Sequence, residues 1–542
     1  MIMNVIGFDF GTTNSTISFY NTETKTLDCF QTSASSTDYI PTVVAYKGDD
    51  VCIGNIAKKN ITKKGYESYE HFKLRLGSDA NTVIENKTKT PTQVTADYIR
   101  ELLAEYRHTQ NIDAIDGIVM TVPETWFREE SNRTARENIE RIYEELGYDI
   151  DSQFQLESEP VAAAGYFCWA YENAKEKNPQ GKKYNGFITV VDYGGGTLDV
   201  TLCKVEAGGN IKILERCGYG EYNRTNGCAG VAFDEAVIEK LCADNDICLE
   251  KTDKKFIKLR DAFEKEKITE TKHITEMMQL YYNDPSIVED EVLLTLEYDD
   301  DELCVYCKDL AECFAKINKP VLDESLSQMQ AYFATHGVDS SSQDAFKVLL
   351  VGGFSNFYCV EETVRRFFGS RYGLNDKRFD QVFTLNNKSL AIAKGAALIA
   401  QKVVKVDHTC THNIGYIAVR PDDQDRWIDT DITIIKKGMK VSDAKEPIYA
   451  PNKVQVRLKS GVFRIFLDDG RENKVGRTQA ALDQSVGEIF PNMDDISNEY
   501  QIGFSVDKNL IPTLHVRDKK GTVKQIRLNS LLARIAVREK SE

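Results

Sequence analysis

The sequence holds no apolar run approaching the roughly 18 consecutive residues that a bilayer-spanning helix requires, so a membrane-spanning reading is excluded. Positive charge is also short: 68 Lys+Arg stand against 84 Asp+Glu, a formal net charge of −16, with a pI near 5.2. Nucleic-acid binding neutralises phosphates and needs a basic face, so nucleic acid is not an expected partner. Met1-Ile-Met-Asn4-Val-Ile-Gly7 lacks a basic segment, a sustained apolar stretch and a small-residue cleavage site, and no signal peptide is expected. The 13 cysteines, an odd and scattered number, suit free thiols in a reducing compartment better than a disulfide framework. Together these features point to the cytosol.

Two common site types are missing as well. Cys304-Val-Tyr-Cys307 with Cys313 has C-x-x-C spacing but no second pair or H-x-x-x-H nearby, and reads as a strand running into a helix near Lys308. No G-x-x-x-x-G-K-[ST] occurs, so a P-loop is excluded as a motif. What remains is an ordinary globular composition, 42% hydrophobic and 28% charged. A length of 542 residues suits roughly three or four domains.

From Met1 to about Gln401, short β-branched apolar runs alternate with helical segments, the pattern of an α/β protein. Val5 to Phe10, Gly117 to Thr121, Phe187 to Asp192 and Lys347 to Val351 are the clearest buried strands. Ligand sites in such sheets lie at the carboxyl ends of strands, so the residues after these four runs are the candidates for chemistry. Beyond Gln401 the texture changes. Lys453 to Leu458 alternates strictly, as do parts of Val462 to Leu467 and Gln501 to Val506, with turns at Asp468-Asp-Gly470 and Asp518-Lys-Lys-Gly521. That alternation predicts a separate, half-exposed antiparallel β domain. Lys402-Val-Val-Lys-Val-Asp407 reads either as the end of the preceding helix or as a short apolar tether.

An internal echo carries the functional signal. Val5-Ile-Gly-Phe-Asp9-Phe-Gly11-Thr12-Thr13 and Val190-Val-Asp192-Tyr-Gly194-Gly-Gly-Thr197 both run strand, Asp, any residue, Gly, then small or hydroxyl residues. Two copies of one device suggest two related lobes facing a cleft. Glycine lets backbone N–H groups approach an anion, and threonine hydroxyls add donors to phosphate oxygens. An aspartate cannot bind phosphate directly; its natural role is to hold a hydrated Mg²⁺ that does. A third strand, Val348-Leu-Leu-Val351, enters the diglycine turn Gly352-Gly353-Phe354-Ser355, followed by a helix from about Tyr358 to Phe368. Diglycine would let a base or ribose lie against the backbone, or would simply make a tight packing turn.

With Gly7-Phe-Asp9-Phe-Gly11-Thr12-Thr13-Asn14-Ser15, Val191-Asp192-Tyr-Gly194-Gly195-Gly196-Thr197-Leu-Asp199-Val200 and Val351-Gly352-Gly353, the chain resembles the actin-like (RNase H-like) ATPase superfamily. Within it, Thr121-Val-Pro123, Glu159-Pro-Val-Ala-Ala-Ala164, Phe233-Asp234 and Ala393-Lys-Gly395-Ala-Ala397 resemble the heat-shock protein 70 chaperones. The resemblance covers essentially residues 1–400. It implies a two-lobed ATPase domain over 1–400, with lobes of about 1–185 and 186–400, a linker at 401–408, and a small β-sandwich domain with a short terminal helix over 409–542.

By the same resemblance, Asp9 and Asp192 flank hydrated magnesium, while Gly11, Thr12, Thr13, Asn14, Gly194, Gly195, Gly196 and Thr197 cradle the phosphates. Lys73, in Phe72-Lys-Leu-Arg-Leu-Gly77, matches a lysine placed against the γ-phosphate and attacking water; read alone it would pass for a solvated surface lysine. A cation there would oppose the negative charge that spreads over the phosphoryl oxygens in the transition state. Glu159 matches a carboxylate that orients water or metal and Asp199, in the second phosphate loop, a further member of the water network, with Asp192 and Thr197 also counted as catalytic. Glu264 and Lys267, at i and i+3 of one helix, match a ribose-binding pair, and Gly230, Gly352, Gly353, Phe354 and Asn356 the remaining nucleotide contacts. The pattern departs at Ile268, Asn356 and Ser389, where the family carries arginine, arginine and aspartate.

The β domain resembles, more distantly, the family's peptide-binding sandwich, in Tyr500 to Asp507, Leu514-His-Val516 and Thr522 to Leu528. Such a sandwich can hold an extended peptide by main-chain hydrogen bonds and apolar pockets. After one short helix, Ser530 to Glu539, no room is expected for a helical lid, which predicts fast client release. The expected function is that of an ATP-hydrolysing, chaperone-like switch with an unfolded or extended polypeptide client and co-chaperones as partners. A non-chaperone ATP-dependent protein with one dedicated partner is the alternative, and a small-molecule kinase on the shared core is a third reading.

Overall fold

The computed structural model describes residues 4–35, 37–77, 80–83, 87–128, 133–176, 178–220, 227–299, 301–379, 390–406, 408–410, 412–421, 423–456, 458–468, 477–482, 484–491 and 498–528. Ser389, the tip of the Asp468–Gly470 turn and the helix expected over Ser530–Glu539 lie outside them. Two compact units divide the chain: Met1–Thr125 with Glu144–Val406, and Trp126–Tyr143 with Asp407–Glu542.

The four apolar runs all form strands, Val5–Phe10, Gly117–Val122, Gly186–Tyr193 and Phe346–Val351, the last buried throughout. Strands covered on both faces lose the alternation of a half-exposed sheet, which is why they stand out as runs. In the first unit they nucleate two sheets of related topology. One orders Thr26–Cys29, Asn14–Asn21, Val5–Phe10, Gly117–Val122 and Phe154–Ser158; the other orders Ile211–Gly220, Thr197–Val205, Gly186–Tyr193 and Phe346–Val351. In each, an antiparallel meander continues into a parallel neighbour. The register matches too: Asp9 lies beside Thr121 of its parallel partner as Asp192 lies beside Val351. The echo in the sequence is therefore an echo in topology.

The Ala391–Ala400 helix packs on the Val5–Phe10 strand and the Glu159–Asn173 helix through Ala396, Leu398 and the run Ala162 to Ala164. After it, the tether stays on this unit: Val406 bridges Ile211 in parallel register, and Val404 packs on the apolar cluster containing Ala162–Ala164, close to Gly165. The C-x-x-C segment folds as strand Asp301–Tyr306 and helix Cys307–Ile317, with Cys307 and Cys313 in the apolar core.

The second unit contains two sheets whose described pairings are all antiparallel. One orders Trp427–Ile435, Asn413–Pro421, Arg464–Asp468 and Arg477–Ala481; the other orders Ile448–Tyr449, Asn498–Val506, Pro512–Asp518 and Val523–Arg527, with Val454–Val456 also pairing Asn498–Val506. The alternating run at Lys453–Leu458 yields only the short strand Val454–Val456, because the chain turns at Leu458, whose carbonyl accepts from Gly461 N at 2.9 Å and whose side chain is 68% exposed. Within this unit Trp126–Tyr143 is tied in by Arg136, which donates to Asn509 O at 2.8 Å, and by Glu140, which accepts from Asn509 Nδ2 at 2.7 Å and pairs with Arg527 at 3.1 Å.

Candidate functional site

Each Asp-bearing strand ends in a three-residue loop before its antiparallel partner begins, Gly11–Thr13 in one sheet and Gly194–Gly196 in the other. The two loops touch. A Cβ on Gly195 would stand 2.8 Å from Thr13 Cγ2, and one on Gly196 would stand 2.7 Å from Thr12 Oγ1 and 2.8 Å from Leu74 Cδ2. Only glycine allows that approach. The first loop is braced by Thr42, whose N donates to Thr13 O at 2.8 Å and whose hydroxyl donates to Gly11 O at 2.9 Å. The second is braced at the start of the Gly230–Asp244 helix, where Gly230 N and Val231 N donate to Gly194 O and Gly195 O at 3.1 and 2.8 Å.

The diglycine turn joins them. Gly352 has φ +81°, and a Cβ there would stand 2.5 Å from Asp192 Oδ1. Phe354, in the turn Gly353–Asn356, meets Tyr193 edge-on at 5.1 Å and packs against Gly230.

Five charged groups share this space. Lys73, 2% exposed, donates to Glu159 Oε1 at 2.8 Å and stands 5.6 Å above the Phe10 ring. It rides on the short turn Phe72–Arg75, introduced by His71 in the left-handed region at φ 53°, a strained start of the kind that collects at functional sites. Glu159 opens the Glu159–Asn173 helix, and Asp199 faces Asp192 in register. Burial raises the Asp192 carboxyl well above its usual range, helped by Glu159, Asp199 and Asp9 and opposed by Lys73. Asp9, which accepts from Thr121 Oγ1 at 3.2 Å, is pushed up to about 7 by burial and Glu159, against Lys73 and Thr121. Asp192 Oδ2 is buried and has no hydrogen-bond partner among the described residues. Hard carboxylate oxygens, one of them unsatisfied, fit a hydrated divalent cation such as magnesium.

These raised carboxyls fix a sign. Through Asp9 the native chain keeps a proton that the unfolded chain has already lost, so this carboxyl's contribution to the stability of the ligand-free protein falls as pH rises between the ordinary aspartate value of 3.8 and about 7. Urea unfolding from pH 5 to 7 should show a steeper loss for the wild type than for Asp9→Asn, which has no proton to release there. Parallel slopes would mean that Asp9 is not the group responsible.

The predicted ribose pair is engaged inside the protein. Glu264 Oε2 accepts from Lys58 at 2.7 Å, and burial, which raises its carboxyl, is outweighed by Lys58, Lys267 and Arg260, which hold it low. Lys267 pairs with Asp234, whose carboxyl burial lifts to about 6 against the pull of that lysine. Glu264 lines a small, solvent-open cleft that also reaches Thr13, Val231 and Asp234, whereas Ile268 is 62% exposed. Sequence reasoning missed Lys58, Thr42 and Arg260, the last pairing with Glu70 at 3.0 Å. No local spacing marks them; Lys58 and Glu264 are 206 positions apart.

The structure thus brings together two loops and two aspartates, carried by two sheets of related topology, with Lys73 on the turn Phe72–Arg75. The sequence model of the Hsp70 protein family matches residues 5–90 and 71–421. This chain belongs to the Hsp70 family. Over 535 residues it is 24% identical to the chaperone protein DnaK of Mycoplasma mobile, an alignment covering 95% of this chain and 76% of that protein. Its architecture is an actin-like ATPase domain followed by a β-sandwich. Family membership supports a chaperone function with ATP as the nucleotide. Among the described residues no helix is long and apolar enough to cross a membrane.

Proposed function

We propose that this Hsp70-family chain hydrolyses ATP slowly in the cytoplasm, and that its nucleotide state controls the grip of the β-sandwich on unfolded polypeptide. The observation that carries this reading is the closure of Gly195 and Gly196 onto Thr13 and Thr12, with Asp9 and Asp192 in one electrostatic field. In it, residues 1–400 bind nucleotide, 401–408 are the linker and 409–542 hold the client. Gly11–Asn14 and Gly194–Thr197 present backbone N–H and hydroxyl donors to the phosphates. Asp9 and Asp192 hold the magnesium through water, and bound magnesium supplies charge neutralisation at the phosphoryl oxygens. Lys73 opposes charge developing on the transferred phosphoryl group, while Glu159, Asp199 and Thr197 order the attacking water. Gly230, Glu264, Lys267, Gly352, Gly353, Phe354 and Asn356 surround the adenosine.

Coupling draws support from the tether: Val404 and Val406 rest on the apolar cluster that contains Ala162–Ala164, three to five residues beyond Glu159. An effect of nucleotide on client affinity must be matched by an equal effect of client on nucleotide affinity. Peptide affinity should differ about fivefold or more between ATP and ADP, and unfolded peptide should stimulate hydrolysis. Fluorescence-anisotropy titrations of an unfolded peptide, paired with phosphate-release assays, check both. Equal affinities with a flat turnover response would remove the coupling.

A further inference from the structure

Glu124, two residues past the Gly117–Val122 strand, is 2% exposed. Its carboxylate meets two groups. The Arg216 guanidinium forms an ion pair with it, the side chains being 13% and 3% exposed, and the Ser158 hydroxyl donates to Glu124 Oε2. Arg216 lies on the Ile211–Gly220 strand of the second sheet, whereas Ser158 ends the Phe154–Ser158 strand of the first, paired with Val122. One buried carboxylate therefore joins the two sheets behind the site.

Ser158 is also the N-cap residue of the Glu159–Asn173 helix, yet its side chain makes no cap bond. A serine there ordinarily bonds to the first turn's backbone. Here Glu124 takes its hydroxyl. The very next residue is Glu159, the partner of Lys73 at 2.8 Å.

We propose that Glu124 and Arg216 act through Ser158 as positioning residues for Glu159, so that its contact with Lys73 is secured when Arg216 of the opposite lobe is seated. The inference rests on the ATPase reading for its kinetic part. Carboxylate and guanidinium, both withdrawn from water, favour each other only at close range. A lobe displacement that draws Arg216 away leaves Glu124 buried without its cation, so the seated arrangement is preferred. The hydroxyl of Ser158 passes that preference to the turn carrying Glu159. None of the three needs to touch nucleotide.

The test uses the full chain with Ser158→Ala, Ser158→Thr and Arg216→Gln, and two readouts. One is steady-state ATP turnover; the other is acylation of Lys73 by an amine reagent without nucleotide, mapped by mass spectrometry. Ser158→Ala should lower kcat about tenfold with KM within about twofold, because an outer partner orients a group without binding substrate. Lys73 should become labelled faster, and Ser158→Thr, which keeps the hydroxyl, should restore both. Arg216→Gln should match Ser158→Ala; if it fails to fold, the Ser158 pair decides. Wild-type kcat and Lys73 protection in Ser158→Ala would overturn the proposal, as would Ser158→Thr being equally impaired. A wild-type chain with no ATP turnover would sink the ATPase reading instead, and the labelling would then decide the positioning alone.

Discussion

Lys73→Ala is expected to lower ATP turnover by about 10²–10³-fold while leaving nucleotide binding largely intact. The side chain opposes the raised carboxyls of both Asp9 and Asp192, and it is paired with Glu159 at 2.8 Å. On the proposed ATPase reading, charge that develops on a phosphoryl group in such an enclosed, acidic space needs a preorganised positive partner, whereas the two loops would already hold the ground-state phosphates. The loss should therefore fall on kcat. A second consequence separates this residue from an ordinary surface lysine. With both side chains buried, removing one partner strands Glu159, and stranding a buried charge costs about 3–5 kcal/mol. The ligand-free variant should unfold at lower urea than the wild type, and raising the pH should widen the gap. Single-turnover hydrolysis with a fluorescent ADP titration measures the first effect. Normal turnover in Lys73→Ala would mean that this cation does not face the reacting phosphate.

Read alone, Lys73 passes for solvated, since nothing in Phe72-Lys-Leu-Arg signals a carboxylate 86 positions away. The same limit applies to Lys58 with Glu264 and to Glu124 with Arg216: pairs made by topology leave no spacing to find. What was legible is what burial and backbone demand locally. The strand at Phe346–Val351 is buried on both faces and so apolar at every position but Lys347. Gly195 and Gly196 are required by their approach to Thr13 and Thr12, whereas Gly11, in the repeated Asp-x-Gly pattern, is required by its own turn, where a Cβ would stand 2.0 Å from Asn14 O. Helical spacing correctly put Glu264 and Lys267 on one helix, but could not show that Lys58 and Asp234 would take them. In the β-sandwich, alternation found the Asn498–Val506 strand, which has neighbours on both sides, and overstated Lys453–Leu458, whose pairing ends at Val456.

Gly395→Ala should be the most damaging small substitution in the ATPase domain. On helix propensity alone alanine gains about 1 kcal/mol over glycine in a helix interior, so an exposed site would be stabilised. Here a methyl carbon would overlap the Ala162 carbonyl group and stand 3.0 Å from Ala162 Cα, and backbone cannot rotate aside as a side chain can. The same helix is closed on its strand side, where a Cβ on Gly7 would lie 2.5 Å from Ala393 O, so Ala391–Ala400 has little room to retreat. Overpacking against two fixed elements costs about 3 kcal/mol or more, which exceeds the propensity gain. With roughly 2–4 °C lost per kcal/mol in a domain of 150–250 residues, and less in a larger one, calorimetry should show a fall of at least several degrees in the transition of this unit. Because Ala162 sits in the first turn of the helix that Glu159 opens, turnover should fall further than the loss of folded protein explains. Gly208→Ala, at a position with nothing within 4 Å and an ordinary φ, is the matched control and should leave both unchanged. Equal melting of Gly395→Ala and the wild type would show that the two helices can separate without cost, and would remove their close crossing as the support for Glu159.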